Sequence, residues 1–239
     1  MEVNTKVNLS GLTLDNPVIP ASGTYGFGKE YIDFYDINIL GSISIKGTTV
    51  QRRKGNPQPR IAECYSGLIN SVGLENPGME NVIQKELKDL EKIYRKPVIA
   101  NISGFSVEEY VTLAREMDKV DNVGIIEVNI SCPNVDHGGL AFGTNADNVR
   151  ELTKKIKEVT TKPIYMKLSP NVTDIKEIAR AAEEGGADGI SLINTLMGMR
   201  IDINRRKPVI ANKKGGFSGP AIFPVALRMV YEVYEATNL

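Results

Sequence analysis

The stretch "VNISCPNV", Val128 to Val135, sets a cysteine between two asparagines directly after an apolar, β-branched run. A thiol there is either a small core filler or a reagent. Its place at a strand end, before a proline and just ahead of the glycine-bearing "DHGGLAFG", favours partial exposure and makes Cys132 a candidate base or nucleophile. Cys64 has no base near it in sequence and reads as filler. His137, the single histidine, is either a general base or a solvated neighbour of Asp136. Lys46 in "ISIKG" and Lys167 in "YMKLS" interrupt apolar runs; a lysine buried alone is costly, so each calls for an anion or an electron-rich ligand. Asn70, Asn129, Asn134 and Asn194 each offer an acceptor and donors without charge. Together they suit a flat ring with alternating carbonyl and N–H groups, such as a pyrimidine, although singly each is an ordinary turn former. The glycines of "GGFSGPA", Gly215 to Ala221, suit a backbone approach to a ring or phosphate, a weak signal by itself.

The elements that must position these residues recur along the chain. Six short apolar runs, "NPVIPAS", "GSISIKG", "KPVIANIS", "GIIEVNIS", "KPIYMKLS" and "DGISLINT", each end in Ser, Lys or Asn. Between them lie helical stripes: Ile83, Leu87 and Leu90; Val107, Tyr110, Ala114 and Met117; Val149, Leu152, Ile156 and Val159; Ile175, Ile178 and Ala182. Alternation of this kind predicts βα units around a parallel sheet, and polar residues at the carboxyl ends of buried strands are where a barrel builds its site. Ser106 with Glu109 predicts a capping box, and Gly185 and Gly186 predict the end of a helix begun near Thr173. Thr48 to Gly78, Cys132 to Ala146 and the polar insert beginning "LMGMRIDINRRKP" read as long loops, of the kind that form lids or binding loops.

Composition narrows the class. The 239 residues are 41% hydrophobic and 24% charged, with 29 basic and 29 acidic side chains, so no net field favours nucleic acid or an anionic membrane. One domain over 1–239 is expected. The two cysteines lack paired spacing and no His cluster suggests a metal. No apolar signal core or membrane-spanning run is present, which predicts a cytoplasmic protein. No GxGxxG, Walker sequence or nucleophile elbow is present either.

The segments "KGTT", "NSVGLENPG", "VIANISG", "VNISCPNVDHGG", "YMKLSPN", "INT" and "NKKGGFSGPAI", in this order across essentially the whole chain, resemble the class 1 dihydroorotate dehydrogenases. The stretch from Asn194 to Ile222 is most similar to the class 1B catalytic subunit. The resemblance implies a TIM (β/α)8 barrel, FMN as cofactor and oxidation of dihydroorotate to orotate in pyrimidine biosynthesis. Electrons would then pass to NAD through a subunit carrying FAD and a 2Fe-2S cluster, in a heterotetramer of two catalytic and two electron-transfer chains. Carried over by residue, it implies Cys132 as the base; Ser22, Lys46, Gly47, Asn101, Asn129, Lys167, Ile193 and Gly219 toward FMN; and Lys46, Asn70, Ser71, Val72, Gly73, Leu74, Asn129, Asn134, Asn194 and Thr195 toward substrate. About six of eight βα units lie within the chain, so strands seven and eight are expected beyond Leu239. A fumarate-using class 1A enzyme, a dihydropyrimidine dehydrogenase-like domain and a non-catalytic pyrimidine-binding module are the alternatives.

Overall fold

The computed structural model describes residues 3–131 and 142–239. Strands β1 (Val7–Leu9) and β2 (Leu12–Leu14) form a hairpin whose two-residue turn, Ser10 and Gly11, has φ of 49° and 91°. Two positive φ angles match the turn twist to that of the strands, and glycine takes the second without strain.

The first expected strand, "NPVIPAS", does not form. Pro17 and Pro20 carry no N–H for a ladder, and the exposed Val18 accepts from the Gly41 amide at 2.9 Å but turns its own N–H to the Asn16 side chain at 3.0 Å. The second, near Lys46, runs beside a parallel neighbour but is interrupted. Ile45 N donates to Ile99 O at 3.0 Å and Thr48 N to Asn101 O at 2.9 Å, while Lys46 N turns away to Gly26 O.

The long segment from Thr48 to Gly78 is an ordered excursion. It carries β3 (Ile61–Cys64) and β4 (Gly67–Asn70), an antiparallel pair. A helical stretch follows as α1 (Met79–Asn81), a π turn (Val82–Glu86) and α2 (Leu87–Ile93). The π turn brings Val82 fully inward with Leu87 and Leu90, leaving Ile83, expected on the buried stripe, only partly covered.

The parallel wall then builds in order. Strands β5 (Val98–Ile102), β6 (Val123–Asn129), β7 (Ile164–Lys167) and β8 (Gly189–Ser191) lie side by side. Helices α3 (Val107–Asp118), α4 (Ala146–Lys157) and α5 (Ile175–Glu184) connect them. This is the wall of a parallel α/β barrel, and β5 is buried throughout, as a strand covered on both faces must be. The predicted stripes meet the wall: Tyr110, Ala114, Met117, Val149, Leu152, Ile156, Ile175, Ile178 and Ala182 are all buried. Burying one of the Val, Leu, Ile or Met side chains contributes about 1.5–3 kcal/mol. Ser106 caps α3 by accepting from Glu109 N at 3.3 Å, while the Glu109 carboxylate accepts from Phe105 N, one residue earlier than a capping box requires. Asn145 and Asp174 cap α4 and α5, and Gly186, at φ 93°, follows the end of α5.

The insert after β8 is also a sheet rather than a loop. Strands β9 (Leu196–Met199) and β12 (Lys214–Ser218) join the earlier hairpin in the antiparallel order β3-β4-β12-β9, while β10 (Ile201–Asp202) and β11 (Lys207–Pro208) pair separately. The last helix, α6 (Phe223–Ala236), seats Met229 and Val233 in the core.

The two ends of the wall differ. At the amino end Ser10 bonds the Tyr165 hydroxyl at 3.0 Å and donates to Asp188 O at 2.9 Å, so the β1–β2 hairpin covers it. The antiparallel sheet lies at the carboxyl end, beside the polar strand termini. No helix among the described residues is long and apolar enough to cross a membrane.

Candidate active site

Strand register sets the site. Asn101 on β5 is opposite Glu127 on β6, and Asn129, two residues further along β6, is opposite Lys167 on β7. Residues two apart share a face, so Glu127 and Asn129 point the same way. Asn129 is fixed from behind, because the buried Tyr110 hydroxyl donates to its carbonyl oxygen at 2.8 Å.

Two polar clusters result. In the first, the Glu127 carboxylate accepts from Asn101 Nδ2 and from Ser44 Oγ at 3.3 Å, and Lys167 Nζ stands 3.7 Å from the same oxygen. The Lys167 and Glu127 side chains are only 12% and 8% exposed. In the second, Asn129 Oδ1 accepts from the Ser131 amide at 3.2 Å and hydroxyl at 3.0 Å, and Asn194 Nδ2 donates to Ser131 Oγ at 2.7 Å. Asn194 Oδ1 in turn accepts from the Thr195 amide at 2.8 Å.

The antiparallel sheet brings the remaining polar residues beside these. Asn70 pairs with Gly216 of β12, and a Cβ on Gly216 would lie 1.9 Å from Thr195 Oγ1. A Cβ on Gly215 would lie 2.4 Å from Asn70 O. The glycines of "GGFSGPA" thus let β12 pass between Asn70 and Thr195, a use of close approach other than contact with a ring or phosphate. The turn after Asn70 is tied down through its carbonyls. Those of Ser71, Val72, Gly73 and Leu74 accept from Asn56 Nδ2, Asn56 N, Arg53 Nε and Asn76 Nδ2. Gly73 and Leu74 both have positive φ, 77° and 57°. With its carbonyls occupied and Ser71 N donated to Arg60 O at 2.7 Å, what this turn has to offer a ligand is its remaining amides, which suit an anion.

Among the cofactor candidates, Ser22 donates to Ile45 O at 2.8 Å and so holds the chain entering Lys46. Lys46 Nζ lies 3.9 Å from where a Gly23 Cβ would be, and Lys46 borders an open cleft of about 520 Å³ with Arg53 and Glu75. Gly47 lies against Asn101, since its Cβ would stand 2.8 Å from Asn101 Oδ1. Ile193 packs partly buried on the core. Gly219, at φ 128°, rests on the β3–β4 turn, where a Cβ would come 2.5 Å from Gly67 Cα, and not in the two polar clusters. Cys132, Asn134 and His137 lie outside the described residues; Ser131, which precedes Cys132, is fully buried and bonded to Asn129. Cys64 is half-buried in β3.

Two atoms stand out. Asn101 Oδ1 and Ser103 Oγ are buried and have no hydrogen-bond partner among the described residues. Leaving a buried polar atom unpaired costs about 1–3 kcal/mol, so a ligand N–H that reached this acceptor beside Gly47 would satisfy it. A planar heterocycle presenting a ring N–H fits it, with the Lys167 cation held near the same Glu127 oxygen that accepts from Asn101.

Glu127 was not among the residues singled out from the sequence. Its signal was present in "GIIEVNIS", where one acidic side chain interrupts a run otherwise fit for full burial.

Comparison with known proteins gives the same direction. A family model described as dihydroorotate dehydrogenase matches residues 4–239. Proteins from Bacillus cereus and Bacillus anthracis, each named dihydroorotate dehydrogenase B (NAD(+)), catalytic subunit, are 56% identical over 234 residues, 98% of this chain and 75% of theirs. A Bacillus thuringiensis protein of the same name matches to the same extent. The chain belongs to the dihydroorotate dehydrogenase family.

Proposed function

We propose that this chain oxidises dihydroorotate to orotate, with FMN as its cofactor, as the catalytic subunit of a class 1B enzyme. The observation that carries this reading is the buried Asn101 acceptor, unpaired among the described residues, which shares Glu127 with Lys167 at the strand ends that also hold the Asn129–Ser131–Asn194 network. The names of the relatives support the reaction.

Each residue has a defined task. When bound, FMN supplies the acceptor for the hydride that leaves substrate C6. Asn101, Gly47, Ser22 and Ile193 would hold its ring, and Lys167 supplies a fixed cation that stabilises negative charge developing there. Asn70, Asn129, Asn134, Asn194 and Thr195 hold the pyrimidine by its carbonyl and N–H edges, with Lys46 beside both rings. The amides of Val72 to Leu74 meet the substrate carboxylate, which the internally bonded carbonyls of that turn support. Cys132 takes the C5 proton, leaving a C5–C6 double bond. The Ser131 bonds to Asn129 support this assignment, because they anchor the chain that leads into Cys132.

The term "catalytic subunit" in the relatives' names supports a partner chain. We assign to that partner the FAD and 2Fe-2S cluster that carry electrons to NAD, in a cytoplasmic assembly of two catalytic and two electron-transfer chains. The test is purification with and without that subunit, measuring flavin absorbance and dihydroorotate-dependent reduction of an artificial acceptor, NAD and fumarate. A yellow protein that reduces NAD only with its partner is expected. A colourless, inactive protein refutes the reaction, and NAD reduction by the isolated chain, or efficient use of fumarate, refutes the 1B assignment.

A further inference from the structure

We infer that Glu127 is a positioning residue for the flavin side of the site, acting through Asn101 and Lys167. The inference rests on the function proposed above. Glu127 lies in the middle of a buried strand, 6% exposed, where a carboxylate survives only if its charge and lone pairs are satisfied. Its partners are few and specific: Asn101 Nδ2, Ser44 Oγ and, at ion-pair distance, Lys167 Nζ.

Two consequences follow from the chemistry of those groups. An ionised carboxylate only accepts hydrogen bonds, so Asn101 must present its NH2 group to Glu127. The other end of the amide, Oδ1, is thereby fixed toward Gly47, as an acceptor without a partner among the described residues. Glu127 thus decides that the site shows the flavin an acceptor instead of a donor at this point. The same carboxylate is also the counter-charge of Lys167, holding the ammonium group at the strand end while reducing the net positive field that it projects onto the ring.

Glu127→Gln keeps the shape and removes both controls. Its amide no longer dictates the orientation of Asn101, and Lys167 loses its counter-charge. FMN is expected to bind on the order of 10-fold more weakly, the equivalent of one neutral hydrogen bond. The flavin midpoint potential is expected to move to more positive values, because the uncompensated cation favours the reduced, negatively charged form. Glu127→Asp is the complementary variant: it keeps the charge but falls short of Asn101, so affinity should drop while the potential stays near wild type.

The experiment measures FMN release from the diluted holoenzymes by fluorescence, and midpoint potential by dye-equilibrated reduction, for wild type and both variants. Asn101→Ala provides a double-mutant cycle. If Glu127 acts through Asn101, adding Glu127→Gln to Asn101→Ala weakens FMN by less than it does alone. A folded Glu127→Gln with wild-type affinity and potential overturns the inference, as does a Glu127→Asp that binds FMN normally. Either variant decides if the other does not fold. A wild-type protein without flavin would instead refute the function proposed above.

Discussion

Replacing Gly216 by alanine tests whether the antiparallel sheet forms part of the substrate site. The added Cβ would stand 1.9 Å from Thr195 Oγ1, 2.6 Å from Thr195 Cβ and 3.3 Å from Thr195 Cγ2. Carbon atoms in ordinary contact are roughly 3.5–4.0 Å apart. Rotating the threonine about χ1 carries away the hydroxyl but not Cβ, which remains about 1 Å too close, so the backbone at Thr195 or in β12 must move by that amount. Thr195 is bonded to Asn194, and Asn194 to Ser131, so the displacement falls within the proposed ring-binding network. A misplacement of about 1 Å in a catalytic site costs up to about 10²-fold. Steady-state oxidation of dihydroorotate with an artificial acceptor should show kcat/KM down by tens-fold, and orotate titrated against the flavin spectrum should bind correspondingly weakly, with flavin content unchanged. Gly198→Ala, in the same sheet, meets Phe217 Cβ at 3.3 Å and serves as the mild control, expected within about 0.5 kcal/mol of wild type. Wild-type KM and orotate affinity in Gly216→Ala would refute the placement of Thr195 against substrate.

Cys132→Ser should retain flavin but lose most turnover at neutral pH, because a hydroxyl is a far weaker base than a thiolate; unchanged turnover removes Cys132 from the chemistry. Tyr110→Phe deletes the buried bond to Asn129 O and should lower stability by about 1 kcal/mol, seen as a lower denaturant midpoint with unchanged slope; an unmoved midpoint would show the bond to be redundant. At Asp118, burial pushes the carboxyl pKa up, but hydrogen bonds from Thr160, Lys162 and Thr161 outweigh it and hold the pKa below the ordinary 3.8. A depressed folded pKa stabilises the protein above the unfolded value and ceases to do so as pH falls through the folded one. Asp118→Asn should therefore lower stability at pH 7, with the gap to wild type narrowing as pH falls below about 4; a gap independent of pH would exclude this linkage.

The wall and its helices are legible in the sequence because burial on both faces leaves a dense apolar record: β5 reads "VIANI", and the stripes of α3 to α5 repeat at helical spacing. The strand-end rule also points to Asn101, Asn129 and Lys167; an asparagine there can equally start a turn, but a lysine closing an apolar run has few structural reasons to be there. Three things escape it. Pro17 and Pro20 argue against a strand at "NPVIPAS", a signal that the apolar Val18 and Ile19 between them mask. The antiparallel sheet leaves little periodic trace, because β3 alternates only between exposed and half-buried positions and β4 finds its partner, β12, nearly 150 residues later, as Asn70 opposite Gly216 shows. Glu127 is hidden by the same logic that finds Lys167: it lies inside its strand instead of at the end, and its partners come from Ser44, Asn101 and Lys167, which only the barrel closes around it.

The pairing of β4 with β12 divides the proposed site between two parts of different cohesion. Asn101 and Lys167 belong to the parallel wall, whose strands are buried under three helices, whereas Asn70 stands in a sheet assembled from short strands with exposed residues such as Ile61, Tyr65 and Met199. Heat or dilute denaturant should therefore separate the two ligands in order. The antiparallel sheet is expected to open first, so that on the function proposed above substrate affinity would fail while the wall still held the flavin, and a warmed protein would stay yellow after it had stopped turning over. Over that interval colour is no measure of competence, and orotate, which would span both parts, acts as a clasp whose binding raises the temperature at which the sheet lets go.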